Sequence, residues 1–230
     1  MYDQHDPPPP ATIATPTPAQ RPKLRGVLHQ WAFVGSLVTG VILILLAGGA
    51  KATVAAVIYA VSVSGLLGVS ALYHRVTWGP AARRRMRQLD HAMIFVLIAG
   101  TYTPIGLLVL HGGLGVTVLC VVWAGAVAGV ILNLAWRSAP RWVGVVVYIA
   151  LGWVSVVVMP QLASRLGIGW VGLLFLGGLA YSVGALIYAR RRPDPVPAVF
   201  GYHEVFHALV ICGVAAHLAV IIPVLAGTAG

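Results

Sequence analysis

Long runs of apolar residues alternate along this chain with short segments that hold nearly all of its charge. Seven runs follow residue 25, at approximately 27–49, 52–74, 89–110, 114–136, 142–163, 168–190 and 203–226. Each is close to the ~20 residues that a helix needs to cross hydrocarbon. A helix satisfies its own backbone, which lipid cannot do for it. The pattern therefore predicts an all-α integral membrane protein, a bundle of seven transmembrane helices over residues 26–230. Gly112-Gly113 marks one turn, and Pro193, Asp194, Pro195 and Pro197 mark another. Pro104, Pro160 and Pro223 fall within or near the ends of runs, where membrane helices tolerate them as kinks.

The first 25 residues read differently. They are rich in Pro and Thr and include four consecutive prolines, Pro7 to Pro10. Such a segment cannot bury enough apolar surface to order itself, so 1–25 is expected to be a disordered tail. It lacks the basic-then-apolar start of a signal peptide.

Composition removes the soluble alternatives. Hydrophobic residues make up 59% of the chain and charged residues 9%, against roughly a quarter charged in a soluble domain. The net charge of +10 raises nucleic acid as a partner, but the basic residues lie between apolar runs, where their first meaning is topology. Arg21, Lys23 and Arg25 precede run one, and Arg75, Arg83, Arg84, Arg85 and Arg87 separate runs two and three. Arg137 and Arg141 separate runs four and five, and Arg190, Arg191 and Arg192 separate six and seven. Only Lys51 and Arg165 lie on the opposite side. The positive-inside rule then places the N-terminus in the cytoplasm and the C-terminus outside, in the plasma membrane, with no role for nucleic acid. Cys120 and Cys212 sit inside apolar runs without a CxxC pattern and read as small buried hydrophobes. No internal repeat suggests a two-halved transporter.

The few polar residues within the runs carry the candidate chemistry. Of five acids, only Asp90 and Glu204 lie at run starts, where ionisable groups are costly and tend to be functional. The alternative is that both are interfacial, solvated or paired with nearby arginines. His74 ends run two, and His203 and His207 open run seven. With Asp90, these side chains fall near the cytoplasmic face at one depth. His203 and His207 are four residues apart and share a helix face, as do Ser70 and His74. Three imidazoles from two helices can hold one transition metal and leave a fourth position for water, the pattern of catalytic zinc. The absence of thiolates disfavours an iron–sulfur cluster. His217 lies about 15 Å further along its helix, too far to share that ion; it either lines a deeper cavity or, as the favoured expectation, hydrogen-bonds a neighbouring helix. His29 and His111 read as interfacial. His91 is turned about 100° from Asp90 and should face other surroundings.

His203-Glu204-Val205-Phe206-His207 also matches H-E-x-x-H, in which two His bind zinc and the Glu acts as general base. An intramembrane zinc protease is therefore an alternative. Against it, the third ligand of such enzymes is typically an acid on a later helix, and His74 already offers a third ligand.

Three segments resemble signatures of the hemolysin III and PAQR (progestin and adipoQ receptor) superfamily. Ser70-Ala-Leu-Tyr-His74 resembles its S-x3-H motif. Leu89-Asp90-His91 with Ala99-Gly100-Thr101-Tyr102-Thr103-Pro104 resembles the third-helix signature of bacterial members. Gly201 to His207 resembles the H-x3-H motif of the seventh helix, and His217 matches a recurrent position. The resemblance runs from about residue 25 onward. It implies seven helices with a cytoplasmic N-terminus and zinc on His74, His203 and His207. It also implies Asp90 beside the metal-bound water, and Ser70 supporting that water or the acid. A likeness of the superfamily to alkaline ceramidases suggests hydrolysis of a lipid amide, with Asp90 carrying the proton and membrane lipid as substrate or ligand. The hemolysin label suggests cytolysis, and some members are linked to membrane-fluidity homeostasis. The same residues permit a zinc-clamped sensor or structural protein, with Asp90 as a closing fourth ligand. The short tail and loops do not fit a receptor for a protein hormone.

Overall fold

The computed structural model describes residues 22–136 and 140–228, except the side chain of Arg141; most of the expected tail lies outside them. The chain forms α1 (Val27–Leu46), α2 (Ala50–Arg75), α3 (Pro80–Pro104), α4 (Gly113–Ala135), α5 (Arg141–Gly152), α6 (Met159–Leu166), α7 (Ile168–Arg190) and α8 (Tyr202–Ala226). A 3-10 segment, Trp153–Val158, joins α5 to α6, so the two cross as one span over Trp142–Leu166. Seven helical units are long and apolar enough to cross a membrane, and no strand is present among the described residues. Neighbours in sequence pack side by side, α1 on α2, α2 on α3, α3 on α4 and α7 on α8, and α8 closes back on α1. The two apolar cores lie on either side of α3.

The seven apolar runs match these spans to within a few residues, with one difference. The third helix starts at Pro80 rather than near residue 89. The arginine-rich stretch read as a loop is its first two turns. Pro80 suits the first helical position, and Ala, Arg, Met and Gln are good helix formers. A second correction concerns Cys120 and Cys212, which are free and exposed on the outward side of their helices, because an apolar residue in a membrane bundle can face lipid as readily as protein.

Backbone irregularities are patched by side chains. Pro104 has no N–H to give, and the helix continues past it as a π turn, Ile105–Val109, closed by Leu110 N–H to Ile105 O at 3.1 Å. Opposite it, the 3-10 segment of the fifth span is served by Tyr102. Its hydroxyl donates to Gly152 O at 2.6 Å and accepts from Ser155 N–H at 2.7 Å. Gly100 has no Cβ because one would collide with the Ser62 side chain of α2. Residues 99–104 thus let α3 lie close to α2 and hold the fifth span.

Residues 22–25 do not behave as tail. Lys23 and Leu24 donate backbone N–H groups to Ala198 O and Val199 O at 3.0 and 3.1 Å, docking the entry to α1 on the loop between α7 and α8. Described basic residues from Lys23 to Arg25, Arg75 to Arg87 and Arg190 to Arg192 gather at this end of the bundle, while Lys51 and Arg165 lie at the other.

Tyr102→Phe removes both hydrogen bonds to the fifth span. We expect a loss of about 1–3 kcal/mol, seen as a lower midpoint in thermal unfolding of the detergent-solubilised protein. An unchanged midpoint would show that the 3-10 segment does not depend on that hydroxyl.

Candidate metal centre

His74 is in the last turn of α2, and His203 and His207 are in the first two turns of α8. The helices bring the three together at the arginine-rich end. One ring nitrogen from each lies within 4.8 Å of the other two. The Nε2 atoms of His74 and His203 are 3.1 Å apart, close to the roughly 3.3 Å expected between two imidazole nitrogens on one tetrahedral zinc with bonds of 2.0–2.1 Å. His203 and His207 are buried, and His74 is half-buried. His207 Nδ1 is buried without a hydrogen-bond partner, a condition that a bound cation can explain. Burial, nitrogen donors and the absence of thiolate in the group all fit a transition metal such as zinc.

Asp90 is not a member of this donor group. Its carboxyl instead has the Ser70 hydroxyl as its hydrogen-bonding neighbour. Ser70, Asp90 and the three histidines line one cavity of about 600 Å³, within the usual range for small-molecule sites. The cavity continues inward between Leu97, Ile105, Tyr102, Val158 and Leu162 as far as His217.

Glu204 has another occupation than the H-E-x-x-H reading gives it. The residue is 1% exposed. One oxygen meets Arg25 Nε at 2.7 Å, and the other accepts the Gly201 N–H at 2.9 Å, capping α8. Both oxygens are spent on placing the first turn of α8, which carries two of the histidines. Gly26, next to Arg25, has φ 77° and no room for a side chain, since a Cβ would lie 2.6 Å from the His74 Cβ. The entry to α1 can therefore press directly on α2 beside the ligand.

His29 is a correction to the sequence reading. It is 2% exposed rather than interfacial, and its ring stacks on His207 with centroids 3.8 Å apart and planes 13° from parallel. The pattern of α1 alone gives no sign of this. The available signal was Glu204: a carboxylate inside an apolar run needs a cation, and Arg25, which brings His29 with it, was one of many candidates. His217 gives its Nε2 to Leu174 O on α7 at 3.1 Å, as expected. His91 and Asp90 do share the cavity, contrary to the expectation of separate surroundings. Adjacent side chains can both border a space this wide, and they differ in partner, His91 meeting the Tyr188 hydroxyl at 3.4 Å. His111 is exposed near a helix end.

These features define a seven-helix integral membrane protein with a buried three-histidine centre at one end. The family model for haemolysin-III related proteins matches residues 18–218. The chain is similar to the hemolysin-3 homolog of Bacillus subtilis (strain 168), 36% identical over 170 residues, or 74% of this chain and 76% of that protein. It is similar also to hemolysin-3 of Bacillus cereus, 33% identical over 190 residues, or 81% of this chain and 84% of that protein. The chain belongs to the haemolysin III family.

Glu204→Gln keeps an acceptor for Gly201 but leaves Arg25 without its counter-charge. We expect a loss of about 2 kcal/mol, moderated by the partial exposure of Arg25, with the metal content of the purified protein equal to that of wild type. Thermal unfolding and elemental analysis check the two parts. Loss of metal at full stability would contradict the anchoring role.

Proposed function

We propose that this protein is a zinc-dependent hydrolase of lipid amides, acting at the cytoplasmic end of a plasma-membrane bundle in membrane lipid homeostasis. The observation that carries this reading is the placement of the Ser70–Asp90 pair and the three histidines on one cavity, with Asp90 outside the donor group. A structural zinc site is usually closed by a fourth protein ligand, and the clustered donors number three. The gathering of arginines at this end supports a cytoplasmic location for the site and for the N-terminus.

A bound zinc ion supplies Lewis acidity, which polarises an acyl carbonyl and acidifies water. His74, His203 and His207 would hold it. Asp90 takes the proton of the attacking water and returns it to the leaving nitrogen, as the carbon–oxygen bond forms and the carbon–nitrogen bond breaks. Ser70 donates its O–H to the Asp90 carboxylate and keeps it aimed. The apolar inner cavity takes the acyl chain and keeps bulk water away.

A second reading, a metal clamp in a sensor or structural protein, is favoured by the origin of all three donors on only two helices, α2 and α8. The protease reading is weakened by the double engagement of Glu204. The name hemolysin-3 borne by the relatives raises cytolysis, but among the described residues no helix carries a continuous polar stripe to line a pore.

Zinc content and fatty-acid release from lipid amides, ceramide and ceramide phosphate among them, separate the readings. Asp90→Ala should keep zinc and lose about 10²–10⁴-fold in turnover, and His207→Ala should lose both. A zinc-loaded wild type that releases no fatty acid from any lipid amide tested would remove the hydrolase reading.

A further inference from the structure

Arg83 and Arg87 lie four residues apart on α3, on one helix face, and both line the cavity of the metal centre. Arg84 and Arg85, between them in sequence, are not among its lining residues. Like charges at this spacing repel, and among the described residues neither arginine forms an ion pair with an acid. Glu204 is paired with Arg25, Asp194 accepts the Tyr202 N–H, and Asp90 adjoins Ser70.

Arg83 is half-buried, with its guanidinium over the Tyr73 ring, 5.6 Å from the centroid. Tyr73 directly precedes His74, so this cation is held beside the helix end that bears the ligand. Arg83 Nη1 is buried and has no hydrogen-bond partner. An unmatched donor on a desolvated cation is costly, and the forked guanidinium matches a phosphate or carboxylate. Arg87 is exposed, so the pair stands where the cavity meets water. Past the metal centre the lining is largely apolar, with Ile94, Leu97, Ile98, Ile105, Val158 and Leu162.

We propose that Arg83 and Arg87 form an anion subsite at the cavity mouth that takes the oxyanion headgroup of an amphiphile, whose chain lies within. This deepens the reading of the cavity as a lipid site and rests on it. It narrows the substrate class from lipid amides in general to those that also carry an oxyanion headgroup, phosphate in the first instance. The positive-inside rule alone asks only that arginines be at this end. It does not ask that two of four line a cavity.

The test measures binding of dodecyl phosphate, dodecanol and inorganic phosphate to the purified full chain in non-ionic detergent, by titration calorimetry. Wild type should bind dodecyl phosphate about tenfold or more tightly than dodecanol, from two charge-assisted contacts. R83Q/R87Q should bring dodecyl phosphate to the level of dodecanol, with dodecanol binding retained as the check on folding. R84Q/R85Q, with the same change in net charge, should keep the wild-type preference. Equal loss in R84Q/R85Q, or no preference in wild type, overturns the subsite while leaving the lipid cavity standing. Failure of both amphiphiles to bind removes the lipid cavity and the subsite together. Inorganic phosphate binding as tightly as dodecyl phosphate would make this a free-anion site and overturn the amphiphile. Each titration is repeated after chelation: a preference that survives supports the arginines, and one that vanishes assigns the anion to the metal and overturns the subsite.

Discussion

Three imidazoles, two buried and one half-buried, each bring a ring nitrogen within 4.8 Å of the other two at one end of a bundle with few other polar groups in its interior. Hydrocarbon offers such groups no partner, and uncompensated polar atoms there are expensive. Two imidazole nitrogens at 3.1 Å can share at most one proton between them, and His207 Nδ1 is buried with no hydrogen-bond partner. A cation held by all three removes that difficulty at once. Such a cation would also tie the end of α2 to the start of α8, two helices far apart in the sequence. Much of the surrounding architecture serves to bring those two turns to one place.

The supporting contacts come from the entry to α1. Arg25 neutralises Glu204, Glu204 caps α8, and His29 lies flat against His207. Gly26 lets this segment press on His74, and Lys23 and Leu24 fasten it to the α7–α8 loop. The acid of the H-E-x-x-H pattern is thus a positioning group for the histidines on either side of it. Away from the centre, α3 does a second task. Its residues 99–104 accept the close approach of α2 and repair the broken backbone of the fifth span through Tyr102, so the apolar cavity has a defined wall.

Much of this was legible in the residues alone. Seven runs of spanning length, separated by arginines, specify the helices because lipid permits little else. His74, His203 and His207 could be joined because the spacing of four fixes a face and alternation of spans fixes a depth. What could not be read were contacts set by packing between distant segments. His29 looked interfacial because it lies near a helix start, and its burial depends on α8. The arginines of α3 looked like a loop because charge interrupts the apolar pattern, although helix propensity continues through them. The cysteines looked buried because apolar context in a membrane does not separate the lipid-facing side from the protein-facing side.

X-ray absorption at the zinc edge of the purified protein tests the central claim most directly. The account predicts three nitrogen scatterers of imidazole type at about 2.0–2.1 Å with one further light-atom ligand, reduced in both His74→Ala and His207→Ala. Absence of bound metal in protein purified without chelator, or a ligand set that survives both substitutions, would contradict it.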